Sequence, residues 1–419
     1  MSNAAHDPSL PVGDLPEGSE IVANIARRNA RGNIWRTLFL SALLVGLLAL
    51  VTLGLTIVNS AFGSVAVVQA VNPATLADRP LEDLNAEELT TIFRENVSPG
   101  LFRRYDREKL FTERAPADIL ALIEERVTRR EALGSYSLIE TLTRRDAIIA
   151  ELAAQNPDAV LESRSWLSGQ FLQRTMASSP EVAGIRTAIL GSLLVILLTM
   201  TFALPVGIGA AIYLEEYAAK NRLNRFIETN INNLAGVPSI IYGLLGLAVF
   251  VRALEPLTSG AVFGVTGQNG RTVISAALTM ALLILPLLII NAREAIRAVP
   301  LSIRQASYGL GATRWQTVWN HVLPQALPGI LTGTILGMSR AIGETAPLIV
   351  IGASTFIVSD PTGPFSKFTV LPIQIYNWTQ QPSDLYRNAA AAAIIVLLIM
   401  LLSLNALAIV LRNRFRRSL

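Results

Sequence analysis

Arg340 and Glu344 are the residues of this chain best placed to do chemistry. They lie four apart in an otherwise apolar run, GILTGTILGMSRAIGETAP at 329–347. A spacing of four puts the guanidinium and the carboxylate on one face of a helix, one turn apart. At about 1.5 Å of rise per residue, the pair falls near or just beyond the midplane of a bilayer. Ionisable groups at that depth are costly and face a bundle interior or an aqueous path. Ser339 and Thr345 set hydroxyls beside them. The guanidinium fork suits the oxygens of an oxyanion, and arginine lining is a device of anion and phosphate pores. Glu344 adds discrimination. Phosphate near neutral pH carries a proton that a carboxylate can accept, and sulfate carries none. The alternative reading is an internal ion pair that makes both charges tolerable in the bundle; the two can hold in alternating states.

Other chemistries are excluded by what is missing. The chain has no cysteine, so disulfides, thiolate catalysis and cysteine-ligated metals fall away. His6 and His321 are its histidines, far apart and in unlike settings, which leaves no histidine metal cluster. No phosphate loop of the Gly-x4-Gly-Lys-Ser/Thr type occurs, and Lys109, Lys220 and Lys367 are the lysines. There is no nucleophile elbow and no His-Glu-x-x-His pair either. The chain is expected to perform no covalent chemistry and to hold no cofactor of its own.

The elements that position Arg340 are apolar spans. Of 419 residues 51% are hydrophobic and 16% charged, a balance suited to a polytopic membrane protein. The net charge of +4 comes mostly from arginines beside apolar runs, which fits positive-inside anchoring better than nucleic acid. Residues 1–25 read as a disordered cytoplasmic tail and 26–62 as a first transmembrane helix. Further spans fall near 184–213, 232–254, 272–292, 328–353 and 388–411. This gives an all-α protein of six spans with both ends inside and a basic tail at 412–419. Residues 63–183 form an external helical insertion, with helices near Asp118–Val127 and Leu138–Ala153. An inert cover over the outer mouth and a ligand-sensing domain are its two readings. Gly329, Gly333 and Gly337 repeat every four residues and leave one face of the fifth span bare for a neighbouring helix. Arg186 reads as an interfacial anchor. Glu215 and Glu216 read as structural, and Arg293 and Arg297 pair with Glu294 or meet a partner.

Between the fourth and fifth spans lies a polar, basic loop at 294–328 patterned as two short helices. Ser302 caps the first, which ends near Gly309 and Gly311. Thr313 and Gln316 form a capping box that opens the second. Trp315, Val318, Trp319 and Val322 make one apolar stripe along it, and Pro324 ends it. Exposed tryptophans on such a helix-turn-helix indicate a docking surface on the inner side of the membrane.

That loop resembles the coupling loop of the permease subunits of bacterial ABC importers. The family carries Glu-Ala-Ala, a Gly four residues on, and a closing Ile-x-Leu-Pro. This chain has Gln305, Ala306 and Ser307, then Gly311, then His321-Val322-Leu323-Pro324. Gln305 keeps hydrogen-bonding capacity but cannot form the family's ion pair. The segment from Ser339 to Leu348, and Leu214-Glu215-Glu216-Tyr217-Ala218, are similar to the membrane subunits of phosphate importers, the Ala-Pro-Leu ending to the A-type subunit. Residues 160–411 carry the likeness, which implies a permease core at 184–411. It also implies a second related permease, two ATP-binding subunits that hold ATP and magnesium, and an external phosphate-binding protein. The loop would sit in a cleft of the ATPase. An importer of sulfate, molybdate or another oxyanion would share all of this except the cargo. From a different class, a membrane receptor sensing through 63–183 would lack any output domain after the last span.

Overall fold

The computed structural model describes residues 18–417 except positions 70, 72–74, 78, 109, 129, 178, 220, 267–268, 355 and 358. Most of the expected amino-terminal tail, 1–17, lies outside the described residues. The first unit of the chain, to Thr56, is one helix among the described residues, because α1 runs from Gly18 to Ala61. Residues 18–25 are therefore helical rather than a loose tail. The apolar side chains of this unit, from Ile34 to Leu55, are exposed all round, and Trp35 stacks on Phe39 at 5.8 Å. A helix apolar and exposed all round has the surface of a lipid-facing span.

The second unit begins with an insertion that is not helical throughout. β1 (Phe62–Gln69) follows α1 without a break, and β2 (Arg130–Ser137) and β3 (Val160–Ser165) flank it antiparallel in the order β2-β1-β3. Val65, Ala66, Val67 and Val68 favour the pleated sheet of a central strand, and Val65 and Ala66 are fully buried. The all-α expectation fails here because the strands are short and two are half polar, so they give little signal beside long helices. Four helices surround or follow the sheet's strands in sequence. α2 (Ala86–Asn96), α3 (Pro99–Glu108) and α4 (Pro116–Arg126) close a small core around Phe93, Phe111 and Ile123. α5 (Leu138–Gln155) lays Ile148 and Leu152 against Ala66 of the sheet. It opens on a capping box from Ser137 to Glu140, whose hydrogen bonds hold the Glu140 carboxyl below its usual range.

The remaining chain is a helix bundle. A short α6 (Gly169–Gln173) leads into α7 (Arg186–Ile212), which widens into a π turn at Tyr213–Tyr217. α8 (Arg222–Ala235) and α9 (Ser239–Gly246, continuing as a π turn over Leu247–Ala253) meet at a 105° bend. Gly236 ends one helix and Pro238 caps the next, so the expected span at 232–254 is a broken element. α10 (Glu255–Thr258) is a single turn, and α11 (Val273–Arg297) then runs through the middle of the core.

α12 (Leu301–Gly309) is capped by Pro300, not Ser302, since the chain is already helical one residue earlier. Gly311 takes φ +83° in the turn that follows. α13 (Arg314–Thr317) opens on the expected capping box at Thr313. It passes through a π turn at Val318–Val322 into α14 (Leu323–Gly343), so Pro324 does not end the helix. A proline ring clashes with the carbonyl four residues before it, here Asn320, and the wide turn relieves that clash. Arg314–Gly343 is one helix of 30 residues. It breaks at Glu344, which is extended, before α15 (Ala346–Ile351). α16 (Leu371–Thr379) and α17 (Asp384–Arg417) complete the bundle, and the expected basic tail from 412 on is helical as far as Arg417. Five described helices are long and apolar enough to cross a membrane, or up to six with the bent pair.

Candidate functional site

Arg340 and Glu344 do meet. Arg340 Nε lies 3.4 Å from Glu344 Oε1, a single long contact. The break at Glu344 turns its carboxylate back toward the last turn of α14. The Arg340 side chain is 41% exposed. A permanent charge so exposed on an apolar helix is costly against lipid and favours water, either in a path or at the membrane surface, or another subunit. Their expected companions separate from them. Ser339 Oγ lies 2.8 Å from both the Ile335 carbonyl and Asn405 Oδ1, which ties α14 to α17. Thr345 precedes α15 without a side-chain capping bond.

The bare face of α14 is used as its spacing requires. A methyl group at Gly329 would lie 2.7 Å from Ala295 Cβ, and one at Gly337 would lie 3.2 Å from Leu288 Cδ2. At Gly333 it would collide with Asn291. Leu288, Asn291 and Ala295 are one stripe of α11, so the two backbones touch along two turns.

The loop between α11 and α14 presents an exposed surface of Tyr308, Leu310, Trp315 and Trp319. The predicted single stripe is in fact two. Val318 and Val322 are buried, Val322 in one cluster with Ile296 and Ile330, whereas the Trp315 and Trp319 rings stack outward at 5.3 Å. Gln305, Ala306, Gly311 and His321 are exposed; Leu323 and Pro324 are half-buried. Ser307 is buried and shares a 2.9 Å hydrogen bond with Thr317, so it joins the two helices instead of facing outward.

Sequence reasoning gave Glu215 and Glu216 a structural role, which the geometry fits, but offered Glu294 or a partner for Arg293 and Arg297, whose partners are instead Glu228 and Glu215 on other elements. Arg304 donates to Glu216 Oε1 from Nε at 3.0 Å and from Nη2 at 2.8 Å. It also donates to the carbonyls of Ile296 and Val299. Arg297 grips Glu215 with two 2.9 Å bonds, and Arg293 bonds Glu228 at 2.8 Å. Arg186 pairs with Asp360 at 2.8 Å. Partners some 80 or more positions apart, as Glu215 and Arg297 are, leave no local pattern to read. Among the described residues, no group of three or more His, Asp or Glu side chains could hold a metal.

A bundle with a paired arginine and glutamate at a helix break and an exposed loop of stacked tryptophans is the architecture of a membrane permease. Residues 203–419 match the model of the binding-protein-dependent transport system inner membrane component family. The chain belongs to that family; it is a permease subunit of an ABC transporter. It is 30% identical over 270 residues to the probable ABC transporter permease protein YqgI of Bacillus subtilis, covering 62% of this chain and 86% of that one. The phosphate transport system permease protein PstC of Pasteurella multocida is 33% identical over 50% of this chain and 68% of its own length. PstA 1 of Mycobacterium tuberculosis is 33% identical over 53% and 70% respectively.

Proposed function

We propose that this chain is the A-type permease subunit of an ATP-driven phosphate importer in the cytoplasmic membrane. It forms half of the translocation path beside a second, related permease. The bent pair α8–α9 counts as the sixth span, and both ends lie inside. Charge supports this orientation, with Arg293, Arg297, Arg304 and Arg314 on one side of the α11–α14 connection and Arg222, Arg225, Arg412 and Arg414 on the same side of others. The insertion at 62–183 is then external. Stacked Trp315 and Trp319 face the two ATP-binding subunits, which carry ATP and magnesium. An external binding protein delivers the anion.

The observation that carries the cargo assignment is the exposed Arg340 beside Glu344 in a family whose relatives include phosphate permeases. Arg340 offers a fixed positive charge, and Glu344 accepts the proton that phosphate keeps and sulfate lacks. In the resting pair each charge neutralises the other; an entering anion replaces the carboxylate on the guanidinium. The test is uptake of labelled phosphate into proteoliposomes that hold the full complex, with excess sulfate present. ATP-dependent uptake that sulfate leaves intact and Arg340→Ala abolishes is the expected result. Full competition by sulfate would replace phosphate with a broader oxyanion cargo, and unchanged uptake by the variant would remove Arg340 from the path.

A further inference from the structure

A cavity of about 340 Å³ lies at the end of the bundle opposite the tryptophan loop. Three separate segments build it: Asn269 and Arg271 ahead of α11, Gly352 to Ser354 after α15, and Lys367 with Phe368 ahead of α16. Backbone bonds lock these segments together. Val273 and Ile274 donate to the carbonyls of Ser366 and Pro364, and Ser354 donates to Phe368. Gly352 sits at φ +94°, and the Arg271 side chain lies against its bare α-carbon, where an added methyl would be 2.9 Å from Cδ. No residue with a side chain fits there, and the guanidinium is thereby seated at the cavity wall.

The charge of this cavity is uncompensated. Among the described residues, neither Arg271 nor Lys367 has an acidic group within ion-pair distance. Asp360, the acid nearest Lys367 in sequence, is committed to Arg186 and Thr187. Glu255, close to Gly270, does not line the cavity. Two cations on short segments that the orientation places outside also run against the usual bias of basic residues toward the inside.

We infer that this cavity is an entry site for a free tetrahedral oxyanion of the phosphate class, occupied before the anion reaches Arg340. The inference rests on the importer reading above. A guanidinium, an ammonium and the Asn269 amide line the same cavity, a donor set suited to several oxygens of one anion. The volume equals roughly ten water molecules at about 30 Å³ each, room for an oxyanion with part of its hydration shell. α15 connects the cavity to the functional pair: it starts just after Glu344 and ends at Ile351, beside Gly352. Its six helical residues span about 9 Å.

Lysine chemistry tests this directly, because Lys367 is one of three lysines and labelled peptides report it separately. The full complex in phosphatidylcholine nanodiscs is treated with an amine-acylating reagent in phosphate or in chloride of equal ionic strength, and labelling is followed by mass spectrometry. Phosphate is expected to slow labelling of Lys367 about fivefold at about four times its dissociation constant, and to leave Lys109 unchanged. Arg271→Gln should remove that protection. Equal labelling of Lys367 in the two salts overturns the entry site. So does protection that arises only when anionic lipid is added, because the ligand is then a headgroup. Phosphate uptake by the same complex reconstituted in proteoliposomes separates the failures. Uptake without protection sinks the entry site alone, and loss of uptake in the wild type sinks the cargo assignment.

Discussion

Arg304 and Glu216 form an ion pair in which both side chains are nearly covered, at 12% and 8% exposure. They join the first helix of the tryptophan loop to the π turn that ends α7. Arg304 also satisfies the carbonyls of Ile296 and Val299 at the end of α11. One guanidinium thus holds three elements in register beneath the exposed tryptophans. Removing one partner of a covered pair strands the other, which costs about 3–5 kcal/mol. Glu216→Ala is therefore expected to loosen α12, seen as faster hydrogen exchange over 301–309. Glu215→Ala should do less, because Arg297 is 64% exposed and passes to water, while the covered Arg293, 3.6 Å from Glu215, keeps its 2.8 Å bond to Glu228. Equal effects of the two substitutions would refute this ranking.

The stacked tryptophans and the buried valines beside them make opposite predictions. Trp319→Ala should leave the permease folded and weaken binding of the ATP-hydrolysing subunit by roughly 10–100-fold, as loss of an aromatic anchor does. Val322→Ala removes a fully buried side chain from the core under the loop and should cost about 1–2 kcal/mol of stability. Co-purification of the complex and thermal unfolding of the permease read the two effects separately.

Gly333 tolerates no side chain where α14 meets Asn291 of α11. Gly333→Val should force the helices apart and destabilise the bundle by about 1–3 kcal/mol. Gly343, whose added methyl group meets nothing within 4 Å, is the control: Gly343→Ala should leave the melting temperature nearly unchanged.

Ser339 is predicted to act in packing rather than transport. Its bond partner is Asn405 on α17, so Ser339→Ala should lower stability by about 1 kcal/mol and leave the KM for phosphate uptake unaltered. A raised KM at unchanged stability would return Ser339 to the path.

What the sequence disclosed followed from periodicity. The glycine stripe, the capping box at Thr313 and the one-turn spacing of Arg340 and Glu344 are all local patterns, and a helix turns local spacing into geometry. The strands at 62–69, 130–137 and 160–165 were hidden because a short strand gives little periodic signal and its partner lies far along the chain. The Arg304–Glu216 pair and the Arg271–Lys367 cavity were hidden for the same reason, since each joins segments nearly ninety or more residues apart. The split of Trp315 and Trp319 from Val318 and Val322 had a different cause. An ideal helix puts all four on one side, and the π turn shifts the phase by a fraction of a turn.

That same π turn has a mechanical consequence. A proline at 324 in an ordinary helix would install a joint between the loop and the pore helix, and a joint absorbs motion. By widening one turn instead, the chain keeps Arg314–Gly343 as one continuous helix with its tryptophans at one end and Arg340 at the other. About 25 residues of rise, near 40 Å, separate Trp315 from Arg340. With Gly333 against α11 as the fulcrum, a displacement of the indoles moves the guanidinium in the opposite sense by somewhat under half as much, because Arg340 lies closer to that contact than Trp315 does.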